Sequence, residues 1–308
     1  MSPDILRVES PAKINLYLDI LGKRQDGFHE VEMVMQSISL CDRLTFIRQS
    51  QGNNNNIELL MKSSDCIDQL PVRGDNLIIK AARLLMNDFR LPPIKVILEK
   101  NIPTEAGLAG GSSNAAATLW AINHMFQLGL TEQELSDIGA RLGSDIPFCL
   151  FGGTKLAKGR GEILHPLPSL PNCYFVLVKP NFGVSTGKVY QELGFKTDTE
   201  YGENHQTKSR VNGIISGLEK GTLTGIVENM YNKMEEIVFK WHRDMQIISQ
   251  QIEQLGALKV LMSGSGSTIF GVFDNYDTAK YAKKQLEREF KYVFLSIPRD
   301  MGVGKENN

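Results

Sequence analysis

Three glycines in five positions, Gly107, Gly110 and Gly111, run straight into Ser112, Ser113 and Asn114. The strand-like residues 94–99 precede them, and an alanine-rich apolar stretch ending near Met125 and Phe126 follows. A glycine loop between a strand and a helix start constrains a chain strongly. Glycines let main-chain N–H groups close around an anion, and the first helical turn adds unpaired N–H groups and the positive end of its dipole. Small polar side chains at the start suit a cap. The spacing matches neither of the commonest phosphate loops: no Lys follows Gly111, as GxxxxGK[ST] requires, and the glycines do not fit GxGxxG. On the loop alone, a capped turn without a ligand is the competing reading.

The length of 308 residues suits one large domain or two of ordinary size. An apolar share of 42% supports a real core, and a net charge of −1 argues against nucleic-acid or anionic-membrane partners held by bulk charge. No apolar run reaches bilayer length, and the first residues lack the layout of a signal peptide, so a cytoplasmic protein is expected. Cys41, Cys66, Cys149 and Cys173 form no CxxC pair, and the five histidines show no ligand spacing. Reduced, buried thiols and no protein-bound transition metal are therefore expected.

Along the chain, residues 12–21 alternate, with Ile14, Leu16, Leu18 and Ile20 on one face and Lys13, Asn15, Tyr17 and Asp19 on the other. Further strands are expected at 31–40, 43–47 and 57–61, with a polar loop at 51–56 and a helix over 76–89. Thr131 and Glu134 have capping-box spacing, Leu135, Ile138 and Leu142 follow at helical spacing, and Gly143 is a natural stop. A proline-rich stretch at 166–171 marks a boundary, which divides the chain into domains at 1–168 and 169–308. Beyond it, the pattern predicts a strand at 174–179, a polar connection at 192–209, and helices over 223–240 and 244–255. It continues with strands at 259–262 and 268–273 around a second glycine–serine cluster, a helix over 277–290, a strand at 292–297, and a disordered tail from 302. Strand runs without strict βα alternation predict an α+β fold.

Two residues stand out chemically. Lys13 on a strand is ordinarily a solvated lysine, but Asn15 beside it allows a polar face turned to a ligand. Asp145 precedes Ile146 and Pro147, where an N-cap is the plain reading. Phosphoryl transfer gives all the parts a joint purpose. The glycine loop would hold polyphosphate, Asp145 would take or orient the proton of an acceptor hydroxyl, and Lys13 would offset the charge that develops.

Three stretches, in order and spread over nearly the whole chain, resemble the motifs of the GHMP small-molecule kinases (galactokinase, homoserine kinase, mevalonate kinase and relatives). They are residues 11–16 around Lys13, 103–117 around the glycine loop, and 261–268 around Gly264 and Gly266. The resemblance implies a ribosomal-S5-domain-2-like N-terminal domain, a ferredoxin-like C-terminal domain, and a site in the cleft between them. It implies ATP with Mg²⁺, the catalytic pair Lys13 and Asp145, and phosphate binding by Pro103, Gly107, Leu108, Ala109, Gly110, Gly111, Ser112 and Ser113. Residues 25–30, containing Asp26, Gly27, Phe28 and His29, and residues 143–148 are most similar to one branch of the family. That branch phosphorylates the 2-hydroxyl of cytidine diphosphate methylerythritol in isoprenoid biosynthesis. By this likeness Asn15, Phe28, His29 and Tyr190 would face the acceptor. The small-molecule substrate would be the main partner, and the chain a monomer or weak homodimer.

The chain departs from the family pattern at three positions. Phe28 stands where a Tyr is usual and has no hydroxyl, Asn114 stands where many relatives have Asp, and Glu105 puts a carboxylate in the phosphate loop. A carboxylate beside polyphosphate is unfavourable, so Glu105 is expected to face solvent or act through the metal. Two other functions fit the same motifs: a kinase of the homoserine or mevalonate type, and a nucleotide-binding relative without catalysis.

Overall fold

The computed structural model describes residues 4–50, 56–62, 76–195 and 208–306. β1 (Ile5–Lys23) and β2 (His29–Arg48) form one long antiparallel hairpin. The strands expected at 31–40 and 43–47 are thus a single strand. Pairing across this hairpin is irregular at three points, two of which bracket Lys13: one between Pro11 and Lys13, the other between Asn15 and Tyr17. A bulge flips which face successive side chains occupy. Leu6, Val8, Leu18 and Ile20 accordingly enter one core, while Ala12, Ile14, Leu16 and Tyr17 enter another. The single apolar face expected over 14–20 is therefore split between two cores, and Tyr17 does not share a face with Lys13.

β3 (Ile57–Lys62), α1 (Leu77–Phe89), β4 (Ile94–Glu99), α2 (Gly110–Phe126), α3 (Glu132–Ala140), α4 (Ile146–Phe151), β5 (Thr154–Lys158) and β6 (Ile163–Pro166) complete the first half. β4 lies between β2 and β3, and β5 pairs with β2 lower on the same sheet. Two caps read from sequence are present. The Asn76 side chain accepts from the Ile78 amide ahead of α1, and Thr131 and Glu134 make a reciprocal capping box at α3. Most of the polar loop expected at 51–56, and Cys66, lie outside the described residues.

The second half runs β7 (Tyr174–Lys179), α5 (Thr186–Leu193), α6 (Lys208–Glu219), α7 (Leu223–Val227), β8 (Tyr231–Asn232), α8 (Glu235–Trp241), α9 (Asp244–Gln254), β9 (Lys259–Met262), β10 (Ile269–Phe273), α10 (Tyr276–Leu286), β11 (Tyr292–Ser296) and β12 (Gly304–Lys305). Its antiparallel sheet has the order β11-β7-β10-β9, which is the ferredoxin-like arrangement. Val176, Val178, Ile269 and Phe273 pack under α9 and α10, and Phe175, Leu177, Phe270 and Val272 face Ile14, Leu16 and Ile38 of the first sheet. Both faces of the central strands are buried, which explains their unbroken apolar runs.

Two sequence expectations fail here. The helix expected over 223–240 is interrupted by β8, which pairs in parallel with β1. Buried Asn232 causes the break: its Nδ2 donates to the carbonyls of Met262 and Gly264, each at 2.7 Å, and its Oδ1 accepts from the Met234 amide at 2.9 Å. The tail expected to be disordered from 302 instead forms β12 on the edge of β1. Gly302 approaches the Cys149 and Leu150 carbonyls so closely that a Cβ would overlap them. Much of the polar connection expected at 192–209 lies outside the described residues, and its first two residues belong to α5.

A buried polar network fixes the glycine loop to this scaffold. The Asp42 carboxylate, fully buried, accepts from the amides of Asn101 at 2.7 Å and Ile102 at 2.8 Å, from Lys100 Nζ at 2.6 Å and from Asn114 Nδ2 at 2.9 Å. Ser10 Oγ bridges Asn114 Oδ1 and Ser113 Oγ, both at 2.8 Å. Lys100 also donates to the Ile102 carbonyl. Removing one partner of a buried ion pair leaves the other charge uncompensated. Replacement Lys100→Met should therefore cost about 3 kcal/mol, the low end of the usual range because three N–H donors still serve Asp42. Urea melts of the two proteins measure this; a loss below about 1 kcal/mol would show that the amides alone satisfy Asp42.

Candidate functional site

A cavity of about 1160 Å³ lies where β1, the glycine loop and the start of α4 meet α5 and the second glycine cluster. Lys13, Phe28, His29, Asp145 and Tyr190 line it, with Pro103, the loop from Gly107 to Ser112, and residues 264–266.

The loop reaches its shape through left-handed residues at Glu105 (φ 49°), Gly107 (φ 71°) and Ala109 (φ 55°). Gly107 is required on two counts, because a Cβ there would also overlap the Ser263 carbonyl. Ser263 Oγ donates to the Gly107 carbonyl at 3.0 Å, and the Thr268 amide donates to the Ala106 carbonyl at 3.2 Å, so one side-chain and one main-chain hydrogen bond join the two glycine clusters. In α2 the Ser113 amide already donates to the Ala109 carbonyl at 2.9 Å. The amides of Gly110, Gly111 and Ser112 come ahead of it in the first turn, where helix N–H groups lack an intrahelical acceptor. Ser113 itself is fully buried, its hydroxyl turned to Ser10 behind the cavity wall. Asn114 likewise spends its amide on Asp42 and Ser10. An Asp at this position would set two buried carboxylates in contact. Glu105 is exposed and lies against Gly183.

Lys13 is not a solvated lysine: it is 5% exposed. Its amide donates to the Leu108 carbonyl at 3.1 Å, tying β1 to the glycine loop. Its Nζ donates to Asn15 Oδ1 at 2.5 Å and stands 4.0 Å from Asp145 Oδ2. Asn15 is fully buried, and its Nδ2 faces Met33 Sδ at 3.4 Å. It thus holds the amine rather than lining the cavity. Asp145 occupies the N-cap position of α4, yet its side chain makes no capping bond. That carboxylate, about one-third exposed, is directed at the cavity instead. A separation of 4.0 Å is an ion-pair distance and too long for a hydrogen bond, so both groups keep capacity for a third partner.

Part of the cavity lining is aromatic. The hairpin tip before β2 is clamped: Arg24 donates to Asp26 at 3.1 Å and to Glu30 Oε2 at 2.5 Å, and Glu30 Oε1 accepts from the Gly159 amide at 3.0 Å. His29 stacks on Tyr190 with centroids 4.3 Å apart and 17° between planes, and Phe195 meets it edge-on. Phe28 is half exposed beside Arg160. Burial, with Asp145 adding to it, pushes the Tyr190 phenol up to about 12, so it stays protonated. Phe28, His29 and Tyr190, named from the family resemblance, line this cavity, while Lys100, Asp42 and Arg160 were not singled out from the sequence. Lys100 borders the loop and Arg160 sits between two glycines, which are the available signals.

Burial lowers the His29 pKa below 6.5, and nearby Lys23 lowers it further. A histidine depressed in this way is protonated first in the unfolded chain, so stability falls as pH drops through about 6.5. An NMR titration should place His29 below 6.5, and His29→Gln should shed part of the acid-side loss; a value at or above the ordinary one would contradict the packing described.

Comparison with known proteins supplies the family. The GHMP kinase N-terminal domain matches residues 76–153, and the GHMP kinase C-terminal domain matches residues 214–291. A 4-diphosphocytidyl-2-C-methyl-D-erythritol kinase of Bacillus cereus (strain B4264) is 42% identical over 268 residues, covering 87% of this chain and 88% of the relative. One of Clostridioides difficile (strain 630) is 39% identical over 304 residues, covering 97% of each. Among solved structures, a 4-(cytidine 5′-diphospho)-2C-methyl-D-erythritol kinase superposes with a TM-score of 0.77 at 30% identity, over 95% of this chain and 99% of that one. A homoserine kinase from Cytophaga hutchinsonii follows at 0.75, with 18% identity over 99% and 98%, a likeness of fold. With both halves matched and relatives near 40% identity along its length, the chain belongs to the GHMP kinases.

Proposed function

We propose that this chain transfers the γ-phosphoryl group of ATP to the 2-hydroxyl of 4-diphosphocytidyl-2-C-methyl-D-erythritol, in the cytoplasm and as part of the non-mevalonate isoprenoid route. The observation that carries the reading is the convergence of three kinds of group on one cavity. Main-chain amides at a helix start, the Lys13–Asp145 pair and an aromatic cluster of Phe28, His29 and Tyr190 all line it. A base-bearing acceptor has a flat ring for the aromatic cluster and a hydroxyl for the pair.

In this reading the amides of Gly110, Gly111 and Ser112 hold the polyphosphate, with Pro103, Gly107, Leu108 and Ala109 shaping the loop. The acceptor hydroxyl gives its proton to the Asp145 carboxylate as its oxygen bonds to the γ-phosphorus. The bond from that phosphorus to the bridging oxygen breaks, and ADP leaves. Lys13, held by Asn15, stands beside Asp145 and faces the negative charge that builds up on the transferred group. Mg²⁺ would enter with the nucleotide and would neutralise polyphosphate charge. Separate sheets for the two halves support a division at residues 1–168 and 169–308, with β8 and β12 crossing back to the first sheet. No helix among the described residues is long and apolar enough to cross a membrane. A monomer or weak homodimer completes the reading.

A coupled ADP-release assay tests it. Turnover should appear with the cytidine acceptor and not with homoserine or mevalonate; transfer to either of those alone would replace this reading. Asp145→Asn should lower kcat by about 10²–10⁴-fold, the usual worth of a positioned general base, while ATP binding by calorimetry stays within about twofold. Full activity in that variant would remove Asp145 from the mechanism.

A further inference from the structure

Phe28 presents a problem of order. It is 50% exposed at a hairpin tip, and a phenyl ring has no polar group with which to fix its angle. A ring that must offer a flat face to a ligand pays for any motion it retains when the ligand binds. Arg160 meets this need. Its guanidinium lies over the Phe28 ring, 4.7 Å from the centroid, and both residues line the cavity.

Arg160 is itself held. Its amide donates to Glu162 Oε2 at 2.6 Å, and its Nε donates to Glu162 Oε1 at 3.4 Å. Its side chain is 27% exposed, so the contact with the ring is partly desolvated, which strengthens a cation over a ring. Gly159 (φ 71°) and Gly161 (φ 112°) give the turn between β5 and β6 the backbone that points Arg160 at the hairpin. The same turn receives Glu30 through the Gly159 amide at 3.0 Å, and Glu30 in turn holds Arg24 and the hairpin. Main chain and side chain therefore fasten the two loops together on either side of Phe28.

We propose that Arg160 is a positioning and specificity residue for the acceptor. It covers one face of Phe28 so that the other receives the acceptor's base, giving a guanidinium–phenyl–base stack. Arginine suits this place because its plane can lie over a ring, which an ammonium cannot do. The base, not the phosphoryl donor, senses the arrangement. The inference rests on the cytidine acceptor proposed above.

Steady-state kinetics on Arg160→Met, Arg160→Lys, Phe28→Leu and the double variant Arg160→Met/Phe28→Leu test it. Arg160→Met keeps the stem and removes the charged plane. It should raise KM for the cytidine acceptor about tenfold, with kcat and KM for ATP within about twofold. Arg160→Lys should recover only part of that loss. In the Phe28→Leu background the Arg160→Met change should add less than about twofold, because its target ring is gone. Wild-type turnover of the acceptor with an unaltered KM in Arg160→Met overturns this inference and leaves the proposed function standing. A full tenfold effect persisting without Phe28 also overturns it, by showing that the guanidinium meets the acceptor directly. Absence of wild-type turnover overturns both.

Discussion

A single buried carboxylate organises the glycine-loop end of this protein. Asp42 sits in the middle of β2, fully out of water, and accepts four hydrogen bonds: two from main chain after β4, one from Lys100 and one from Asn114 at the start of α2. A buried charge is tolerated only when every lone pair is used and a counter-charge is near. Meeting that demand draws together a strand, the loop entrance and the helix that follows the glycines. The direction of α2, and so the aim of its free amides, follows from it.

A second constraint acts on Lys13. Two register breaks on β1 turn residues 12–16 over relative to the strand on either side. The turned segment buries Ala12, Ile14 and Leu16 against the second sheet and leaves Lys13 and Asn15 on the opposite side, beside Asp145. Burying an ammonium costs several kcal/mol unless partners compensate, and here an amide oxygen and a carboxylate do so. The arrangement also explains why Asp145 leaves the helix start uncapped: its carboxylate faces an amine instead. At two close main-chain approaches between the halves, Gly107 against Ser263 and Gly302 against the end of α4, there is no room for a Cβ.

The sequence was most legible where chemistry is local. The capping residues Asn76 and Thr131, the strands of the second sheet and the glycine loop before α2 could all be read from neighbours in the chain. It was least legible where an interaction spans the chain. Asn232 looks like one more helical residue until its amide meets Met262 and Gly264, some thirty positions on. The tail from 302 has the composition of a loose end, yet it pairs with Val8 and Glu9. Asn15 and Ser113 carry polar groups suited to a ligand, but both spend them inside the protein.

What the residues fixed unaided was a set of parts: a loop able to hold phosphate, an amine, a carboxylate and a pair of rings near a glycine turn. Their types and order follow from covalent sequence, because caps, glycine conformations and alternation depend on the nearest few residues. Whether the parts would meet was decided only in three dimensions. The bulges that turn Lys13, the carboxylate that anchors the loop and the guanidinium laid over Phe28 each require groups distant in sequence to be buried together. Burial is a property of the folded whole, and it sets both the strength of these contacts and the sides from which a ligand can enter.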